Sequence, residues 1–560
     1  MAVWNLCAFA LFARLTLAAP AQEWGPNDPS VIETSSGLVS PLIDSVYPDV
    51  YQYLGMPFAQ PPLGQLRFAP PQPVHPSNGT IRSTMPPGCY QLTGAEDIFD
   101  VLEPGFGQQG QQSEDCLKLN LFRPMHPTTQ SLPVLIFVYG GGFVQGGINE
   151  TYEQPTPWVQ AKQNLIVVNI QYRLNIFGFP NSAALQQNNL GLQDIRAAVE
   201  WVRDNVQAFG GDPSRITLWG QSAGSIATNA WTYSYLNDPI VSGTISTSGT
   251  ALAPREGWQA LDSAQNNFTF VAGKLGCFGD PASVLGCMRQ QPAILIKDTL
   301  KNYTSSSMLS FQPVVDDQLV FSNYTELLRE GHIIKQPAIL GSNRREGERS
   351  IDKGLSTSGP NTTLALVYTV VAFLCPAQLT AKLRYEAGLP TYRYEYKGNF
   401  SNISPLPWMG AYHASPLPLL FGTTDIASAH PFNVTPSTAF EFREDDNDTG
   451  LRQELHETLN IDVDTREVED TGGSGGEADQ KGVEHSDEQK RESEEGSDGQ
   501  SPDDAVTKMM FAGEKKNREA GTGSPCCHED DTRGLAERFT GRLLRRFAFQ
   551  VKYTADDGQY

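Results

Sequence analysis

The stretch Thr217–Ser225, with the sequence TLWGQSAGS, organises the rest of this chain. Its centre, GQSAG at 220–224, fits the G-x-S-x-G pattern of a nucleophile elbow, in which a strand turns sharply into a helix and exposes a serine hydroxyl above a sheet. A glycine-serine turn that arose by chance is the simpler alternative. The residues before the motif predict a short strand and those after it predict the start of a helix. Ser222 therefore lies in the context that an elbow needs.

The composition limits the classes of protein to which this chain can belong. The chain has 560 residues, 39% of them hydrophobic, which is enough for one large α/β domain or two smaller ones. The net charge of −22 argues against nucleic acid as a partner, because phosphate binding needs a basic face. Residues 441–560 hold 31 of the 63 acidic residues but only 16 of the 41 basic ones. The last part of the chain is therefore strongly acidic and the body only mildly so.

The first 18 residues resemble a secretion signal, with an apolar run followed by small residues at 18–21. The match is imperfect, because Arg14 interrupts the apolar run. No later run of about 18 apolar residues is apparent, which argues against a membrane span. Ten Asn-x-Ser/Thr sites occur where chance predicts about three. These candidate glycosylation sites are Asn78, Asn149, Asn267, Asn302, Asn323, Asn361, Asn399, Asn402, Asn433 and Asn447. We expect a secreted, extracellular glycoprotein, with the oligomeric state left open.

The cysteines agree with an oxidising compartment. Sequential pairing gives Cys89–Cys116 and Cys277–Cys287 as local disulfides. Cys375 is left over, and we expect it to be a buried free thiol. No cysteine–histidine cluster has the spacing of a zinc site, so we expect no metal and no cofactor.

Apolar runs that alternate with helical segments predict an α/β fold with a mostly parallel sheet covered by helices on both faces. Strands are predicted at 132–138, 164–170, 216–219, 243–247, 336–340 and 391–396, and an amphipathic helix at 191–209. The proline-rich segment 53–73 is predicted to wrap the edge of the domain.

Functional loops in such sheets follow the carboxyl ends of the strands. Three loops do so here: the triple glycine 140–142, the elbow, and GSNRREG at 341–347. A nucleophilic serine needs a histidine base and an orienting carboxylate, and in α/β-hydrolases they follow in the order serine, acid, histidine. This order leaves His413, His430 and three histidines in the acidic tail. His413 follows the last predicted strand and is the best placed, with His430 as the fallback.

Several motifs occur together in one order: PPLGQLRF at 61–68, EDCLKLN at 114–120, the triple glycine, GGDP at 210–213, the elbow and GSNRREG. With them the chain resembles the type-B carboxylesterase/lipase family over about residues 30–442. This family is the branch of α/β-hydrolases that includes cholinesterases and secreted fungal esterases and lipases.

The resemblance implies an α/β-hydrolase fold and carboxylic ester hydrolysis through an acyl-enzyme, and it supports both disulfides. It implies Ser222 as nucleophile, Glu346 as acid and His413 as base, with the backbone N–H groups of Gly141, Gly142 and Ala223 as the oxyanion hole. Each assignment has a simpler alternative. Glu346 could be a surface charge with Glu348 as a near neighbour, and His413 could be an ordinary loop histidine. Asp194 is interpreted as a structural helix residue.

We expect the substrate to be a small-molecule or lipid ester. Phe99, Leu102 and Phe106, with Ile98 and Val101, lie between Cys89 and Cys116. They could form a lid that contacts a lipid interface, as in a lipase, or a fixed wall of a site for soluble esters. The absence of tryptophan from this loop disfavours cholinesterase activity, which uses cation–π contacts. The alternative function is an adhesion module that keeps the fold without the chemistry.

These predictions divide the chain into a signal (1–18), a hydrolase domain (19–442), an acidic low-complexity segment (443–534) and a final segment (535–560). The acidic segment is predicted to be disordered, because its composition cannot offset chain entropy. Leu535–Val551 could form a basic amphipathic helix. Two interpretations of this segment are open. The first is an authentic acidic tail, and the second is a faulty gene model in which non-coding or misframed sequence replaces the true end of the protein. We favour the second, since the loss of covering helices would expose apolar surface.

Overall fold

The computed structural model describes Gly25 and residues 28–424, apart from 93–98, 100–101, 108–109, 254–261, 263–264, 304–308, 310 and 352–356. The predicted signal, the acidic segment and the final helix lie outside the described residues. So do His430, Asn433 and Asn447.

The core of the domain is an eight-stranded sheet. In chain order the strands are β1 (Ile32–Thr34), β2 (Gly37–Ser40), β3 (Val50–Pro57), β4 (Ile81–Arg82), β5 (Gly88–Cys89), β6 (Gln112–Ser113), β7 (Lys118–Pro124), β8 (Leu132–Val138), β9 (Ile166–Ile170), β10 (Gly211–Gln221), β11 (Gly243–Thr247), β12 (Ala338–Asn343) and β13 (Thr391–Tyr396). The order across the large sheet is β13-β12-β11-β10-β8-β9-β7-β3. The six strands from β13 to β9 run parallel, whereas β7 pairs antiparallel with β9 and β3 pairs antiparallel with β7.

Helices connect these strands. They are α1 (Thr156–Lys162), α2 (Asn175–Gly178), α3 (Leu190–Asn205), α4 (Ala223–Ser234), α5 (Asn266–Lys274), α6 (Pro281–Gln290), α7 (Ala293–Tyr303), α8 (Tyr324–Arg329), α9 (Gly347–Ser350), α10 (Thr362–Tyr368), α11 (Cys375–Glu386) and α12 (Leu417–Phe421). Within the described ranges, 3₁₀ turns lie at Gly64–Leu66, Pro104–Phe106, Thr151–Glu153 and Val206–Phe209, and a π-helical turn spans Thr369–Leu374.

The central strands behave as their composition predicts. In β9 all five residues are buried, since both faces of the sheet are covered. The predicted amphipathic helix is observed as α3 followed by a 3₁₀ turn, and Gly210 ends it in the left-handed conformation. The six neighbouring parallel strands confirm the mostly parallel sheet that the sequence predicts. The proline-rich segment differs in part, because its beginning belongs to β3, where Tyr53 is completely buried.

The sequence motifs distant from the elbow have structural roles. Arg67 of PPLGQLRF and Glu114 of EDCLKLN form a two-pronged ion pair at 2.6 and 2.7 Å, a geometry that fixes both segments. The disulfides Cys89–Cys116 and Cys277–Cys287 are both formed. Cys375 is also disulfide-bonded, so the expectation of a free thiol is wrong.

One helical segment among the described residues is long and apolar enough to cross a membrane, namely Thr362–Glu386. The expectation that no apolar run of this length follows the first 18 residues is wrong for this segment. Half of its apolar window is buried in the protein, and its C-terminal part, α11, packs on β12 and β13. A core helix of a soluble protein meets the same criterion, so this segment is weak evidence for a membrane span.

Candidate active site

The serine lies at a sharp junction between β10 and α4. Ser222 has φ 55° and ψ −121°, a conformation that costs free energy and that surrounding structure must hold in place. Its N–H donates to Thr247 O at 2.9 Å. A Cβ at Gly220 would collide with the Gly224 carbonyl, and one at Gly224 would collide with the Val138 carbonyl. Both glycines of the motif are therefore required by close backbone approach.

The triple-glycine loop follows the end of β8, the strand next to β10. Gly141 and Gly142 have φ values of 97° and 64°, which favour glycine. The N–H groups of these two glycines and of Ala223, the first residue of α4, have no acceptor among the described residues. Behind the loop, Tyr139 and Tyr172 stack at 4.5 Å, and each hydroxyl donates to the other residue's carbonyl at 3.1 Å. This reciprocal pairing fixes the start of the loop.

Glu346 and His413 form a close pair. The Glu346 side chain is completely buried, and its Oε2 lies 2.6 Å from His413 Nδ1. Its other oxygen accepts the backbone N–H of Asn343 at 2.6 Å. A carboxylate at Nδ1 favours the tautomer with the proton on that nitrogen, which leaves a lone pair on Nε2. His413 Nε2 lies 3.3 Å from Nε2 of Gln221, so the imidazole lies at the elbow.

Backbone contacts fasten the acid loop to the histidine loop. The Arg345 N–H donates to the Ala411 carbonyl at 3.1 Å, and the Asn343 side-chain amide donates to the Tyr412 carbonyl at 2.7 Å. The residue after the histidine, Ala414, has φ 74°. Because these bonds join segments almost 70 residues apart, the position of the histidine depends on long-range contacts.

The π-helical turn Thr369–Leu374 supports the same pair from a third direction. Thr369 Oγ1 accepts the N–H of Gly347, the residue after Glu346, at 2.9 Å. The Phe373 ring lies 4.9 Å from the His413 ring. Isolated π-helical turns within α-helices are frequent at functional sites. Here the turn places a hydrogen-bond acceptor under the loop that holds Glu346 and an aromatic ring against the imidazole of His413.

The described part of the loop between Cys89 and Cys116 packs inward. Phe99, Leu102 and Phe106 are buried. The Phe99 ring lies 4.9 Å from Tyr412, the residue before the histidine, and the Phe106 ring lies 4.8 Å from Tyr152. These contacts connect the loop to the histidine loop and to the segment that follows the glycines.

Three buried carboxyl groups lie in the same region. Burial raises the pKa of Glu103 and of Glu150 well above the ordinary value, and it raises the pKa of Glu153 to about 8. Arg349, which lies over the Phe106 ring, opposes these shifts electrostatically. The cluster keeps protons at a pH where exposed carboxyl groups are ionised.

The remaining candidates lie elsewhere. Asp194 is completely buried and pairs with Arg173 at 2.7 Å, which agrees with a structural role. Glu348 pairs with Arg345 at 3.6 Å. Three other histidines within the described residues, His75, His126 and His332, are all exposed. Among the described residues no three histidine, cysteine or carboxylate side chains converge as metal ligands do.

Some residues of the site were missed by sequence reasoning. Gln221 occupies a variable position of the elbow motif, so the pattern assigns it no role. Asn343 lies in the GSNRREG motif, and its position three residues before Glu346 was a usable signal. Thr369 and Phe373 lie in an apolar helical run, and nothing in the sequence distinguishes them from core residues.

A mostly parallel sheet of this order, with a strained serine where a central strand enters a helix, defines an α/β-hydrolase. The family model described as "Carboxylesterase family" matches residues 28–365. The chain is 42% identical to a chlorogenic acid esterase from Aspergillus niger, over 76% of this chain and 82% of that protein. It is 39% identical to secreted lipase 5 from Gibberella zeae, over 77% and 86%. It is 34% identical to rat liver carboxylesterase B-1, over 71% and 81%. The chain therefore belongs to the carboxylesterase family and is a carboxylic ester hydrolase, as the resemblance implied.

Proposed function

We propose that the chain is a secreted serine esterase that forms an acyl-enzyme on Ser222, with His413 as general base and Glu346 as the orienting acid. The observation that carries the proposal is the 2.6 Å contact between the buried Glu346 carboxylate and His413 Nδ1, at a histidine that lies beside the elbow. A histidine held in this way accepts the serine proton and later returns a proton to the leaving alcohol.

The backbone N–H groups of Gly141, Gly142 and Ala223 stabilise the oxyanion of the tetrahedral intermediate. Two observations support this role: the groups have no acceptor among the described residues, and two of them lie on glycines whose backbone can approach a substrate closely. In comparable sites one such donor contributes about 3 kcal/mol to the stabilisation of the transition state.

Labelling with a fluorophosphonate tests the nucleophile. The full chain should react at Ser222, as located by peptide mass spectrometry, and Ser222→Ala should not react. Ser225→Ala is the matched control, because this serine is buried and donates to the Gly249 carbonyl at 2.6 Å. It should keep the labelling at Ser222. Absence of labelling in the folded wild-type protein would contradict the proposal and favour a non-catalytic binding module.

We further propose that the enzyme prefers soluble esters to emulsified lipids. The support is the inward packing of Phe99, Leu102 and Phe106, which is the arrangement of a fixed wall. A lid would have to break the contacts with Tyr412 and Tyr152 in order to open.

Hydrolysis of p-nitrophenyl acetate, p-nitrophenyl palmitate and chlorogenic acid tests this preference. Chlorogenic acid is included because the 42%-identical relative is a chlorogenic acid esterase. The rate with the acetate should saturate below its solubility limit. A sharp rise of the rate when the palmitate forms an emulsion would show interfacial activation, and it would contradict the fixed wall.

Secretion predicts that accessible acceptor asparagines carry glycans. We propose Asn78, Asn302, Asn323 and Asn361, whose residues are exposed. The side chains of Asn323 and Asn361 accept the backbone N–H groups of Glu326 and Leu364 through Oδ1, so Nδ2 is not needed for the cap. Asn149, Asn267 and Asn399 are buried, and Asn402 is half-buried. Glycopeptide mapping of protein secreted from a fungal host should show occupancy at the first four and none at the three buried sites.

A further inference from the structure

Gln221 contacts the catalytic imidazole on the side where the nucleophile has to act. It is the last residue of β10, its backbone is paired with Thr247 of β11, and it is 3% exposed. Its Nε2 lies 3.3 Å from His413 Nε2. Its Oε1 lies against Gly140, where a Cβ would collide with it. The side chain is therefore confined between the glycine loop and the histidine.

The hydrogen-bonding roles in this contact follow from the other side of the ring. Nδ1 donates its proton to the Glu346 carboxylate, so Nε2 of the neutral imidazole is an acceptor. An amide N–H is the matching donor, and this assigns the Gln221 nitrogen to the ring. No hydrogen bond joins Ser222 to His413 among the described residues. The lone pair that must receive the serine proton is thus directed at Gln221 in this state.

The His413 ring is surrounded by charged, apolar and uncharged polar groups. Glu346 faces Nδ1, and its charge acts with burial to raise the pKa of Tyr368 and of Tyr394 behind it. Phe373 covers the ring with an apolar surface. The ion pair of Arg345 with Glu348 lies in the same acid loop. At Nε2 the contact is an uncharged amide, which can hold the ring without favouring the imidazolium.

We propose that Gln221 is a positioning residue for His413. It holds the imidazole between two anchors, with Nδ1 on Glu346 and Nε2 on Gln221, until Ser222 takes over the contact when substrate binds. Because the amide carries no charge, it does not stabilise the protonated imidazole as a carboxylate in the same place would. The inference rests on the proposed function of Ser222, Glu346 and His413.

The pH dependence of kcat/KM in the full-length enzyme tests this role. Gln221→Glu replaces the amide by a carboxylate of nearly the same shape, which pairs with the imidazolium and retains its proton. The acid limb of the profile between pH 4 and 9 should move to higher pH by about one unit or more. An acid limb that coincides with that of the wild-type enzyme would overturn the inference.

Gln221→Met is the neutral control, since it keeps the length of the side chain but removes the hydrogen bond. It should lower kcat about 3- to 10-fold with KM unchanged, while the acid limb stays at the wild-type pH. Should Gln221→Glu fail to fold, this variant still decides the question, because a wild-type kcat would overturn the inference. Fluorophosphonate labelling of the wild-type enzyme separates the two proposals. Failure to label contradicts the proposed function itself, whereas normal labelling with an unchanged acid limb contradicts only the role of Gln221.

Discussion

The nucleophile half of the site, residues 138–142 and 220–224, comes from the ends of two adjacent strands, β8 and β10. The base half, residues 341–347, 369–373 and 412–413, brings together three segments that are separate in the chain. The first half is fixed by strand pairing and by glycines at points of close approach. The second depends on single hydrogen bonds between loops. Replacing the glycines of the nucleophile half should therefore affect folding, whereas substitutions in the base half should affect catalysis first.

Glu346→Gln should have the largest effect and should separate the two halves most clearly. The amide keeps the shape of the carboxylate but no longer favours the tautomer and the charge that His413 needs. We expect kcat to fall about 10³- to 10⁴-fold with the melting temperature nearly unchanged, as measured by steady-state kinetics and calorimetry.

Glu348→Gln is the matched control for that experiment. Glu348 is a buried carboxylate two residues away that pairs with Arg345. Its replacement should change kcat less than 10-fold, by about the effect of a lost peripheral contact. Equal losses for the two variants would mean that the acid loop, and not the Glu346 carboxylate, carries the effect.

Gly224→Ala tests the opposite expectation for the nucleophile half. The added Cβ would meet the carbonyls of Val138 and Tyr139, so strand and helix have to separate. The free energy of unfolding should fall by about 2–4 kcal/mol, as measured by urea denaturation. Gly286→Ala in α6 is the control, because no atom lies within 4 Å of its Cβ position. It should raise stability by up to about 1 kcal/mol, and a similar loss in both variants would contradict the steric argument.

Thr369→Val probes the support of the base half. The Gly347 N–H loses its acceptor, which costs about 1–3 kcal/mol, and the displaced acid loop should lower kcat about 10-fold or more. Thr380→Val is the control on α11, where the buried hydroxyl only donates to the Pro376 carbonyl at 2.8 Å. This variant should lose stability without loss of kcat. A normal kcat in folded Thr369→Val would show that the π-helical turn does not position the acid.

The smallest effect is expected at the buried carboxyl cluster. Burial raises the pKa of Glu153 to about 8 in the folded protein. In the unfolded chain the pKa of this carboxyl group should be about 4.3, the value for glutamate in peptides. The folded state binds more protons in this window, so stability falls as the pH rises through it. Glu153→Gln should reduce the difference between the melting temperatures at pH 5 and pH 8 by about 2 °C.

The exposed Glu33→Gln is the control for the pH experiment and should leave that difference unchanged. An unchanged difference in Glu153→Gln would contradict the assignment of a buried proton to this residue. Glu150 shares the site and interacts electrostatically with Glu153, so the double variant with Glu150→Gln should reduce the difference further.

Much of the site was predictable from local sequence. The elbow and the triple glycine are contiguous motifs, because a sharp turn and a close backbone approach need particular residues at fixed spacing. The order of serine, acid and histidine left His413 as the best-placed histidine, and the family resemblance implied Glu346 as the acid. The structure brings these two side chains together. Asp194 was predicted to be structural because it precedes Ser222 in the chain, and its pairing with Arg173 agrees with that prediction.

The sequence alone determined the α/β class and the positions of the central strands, because these depend on short-range pattern, and sequential pairing of the cysteines predicted both local disulfides. Chain order made His413 the best-placed histidine, whereas only the family resemblance implied Glu346. Only the tertiary structure placed Gln221 at His413 Nε2, Thr369 beneath the acid loop, and the aromatic side chains of the Cys89–Cys116 loop against Tyr412 and Tyr152. Those contacts join residues from about 20 to more than 300 positions apart. Local propensity contains no information about which distant surfaces meet, because packing of the whole domain decides it.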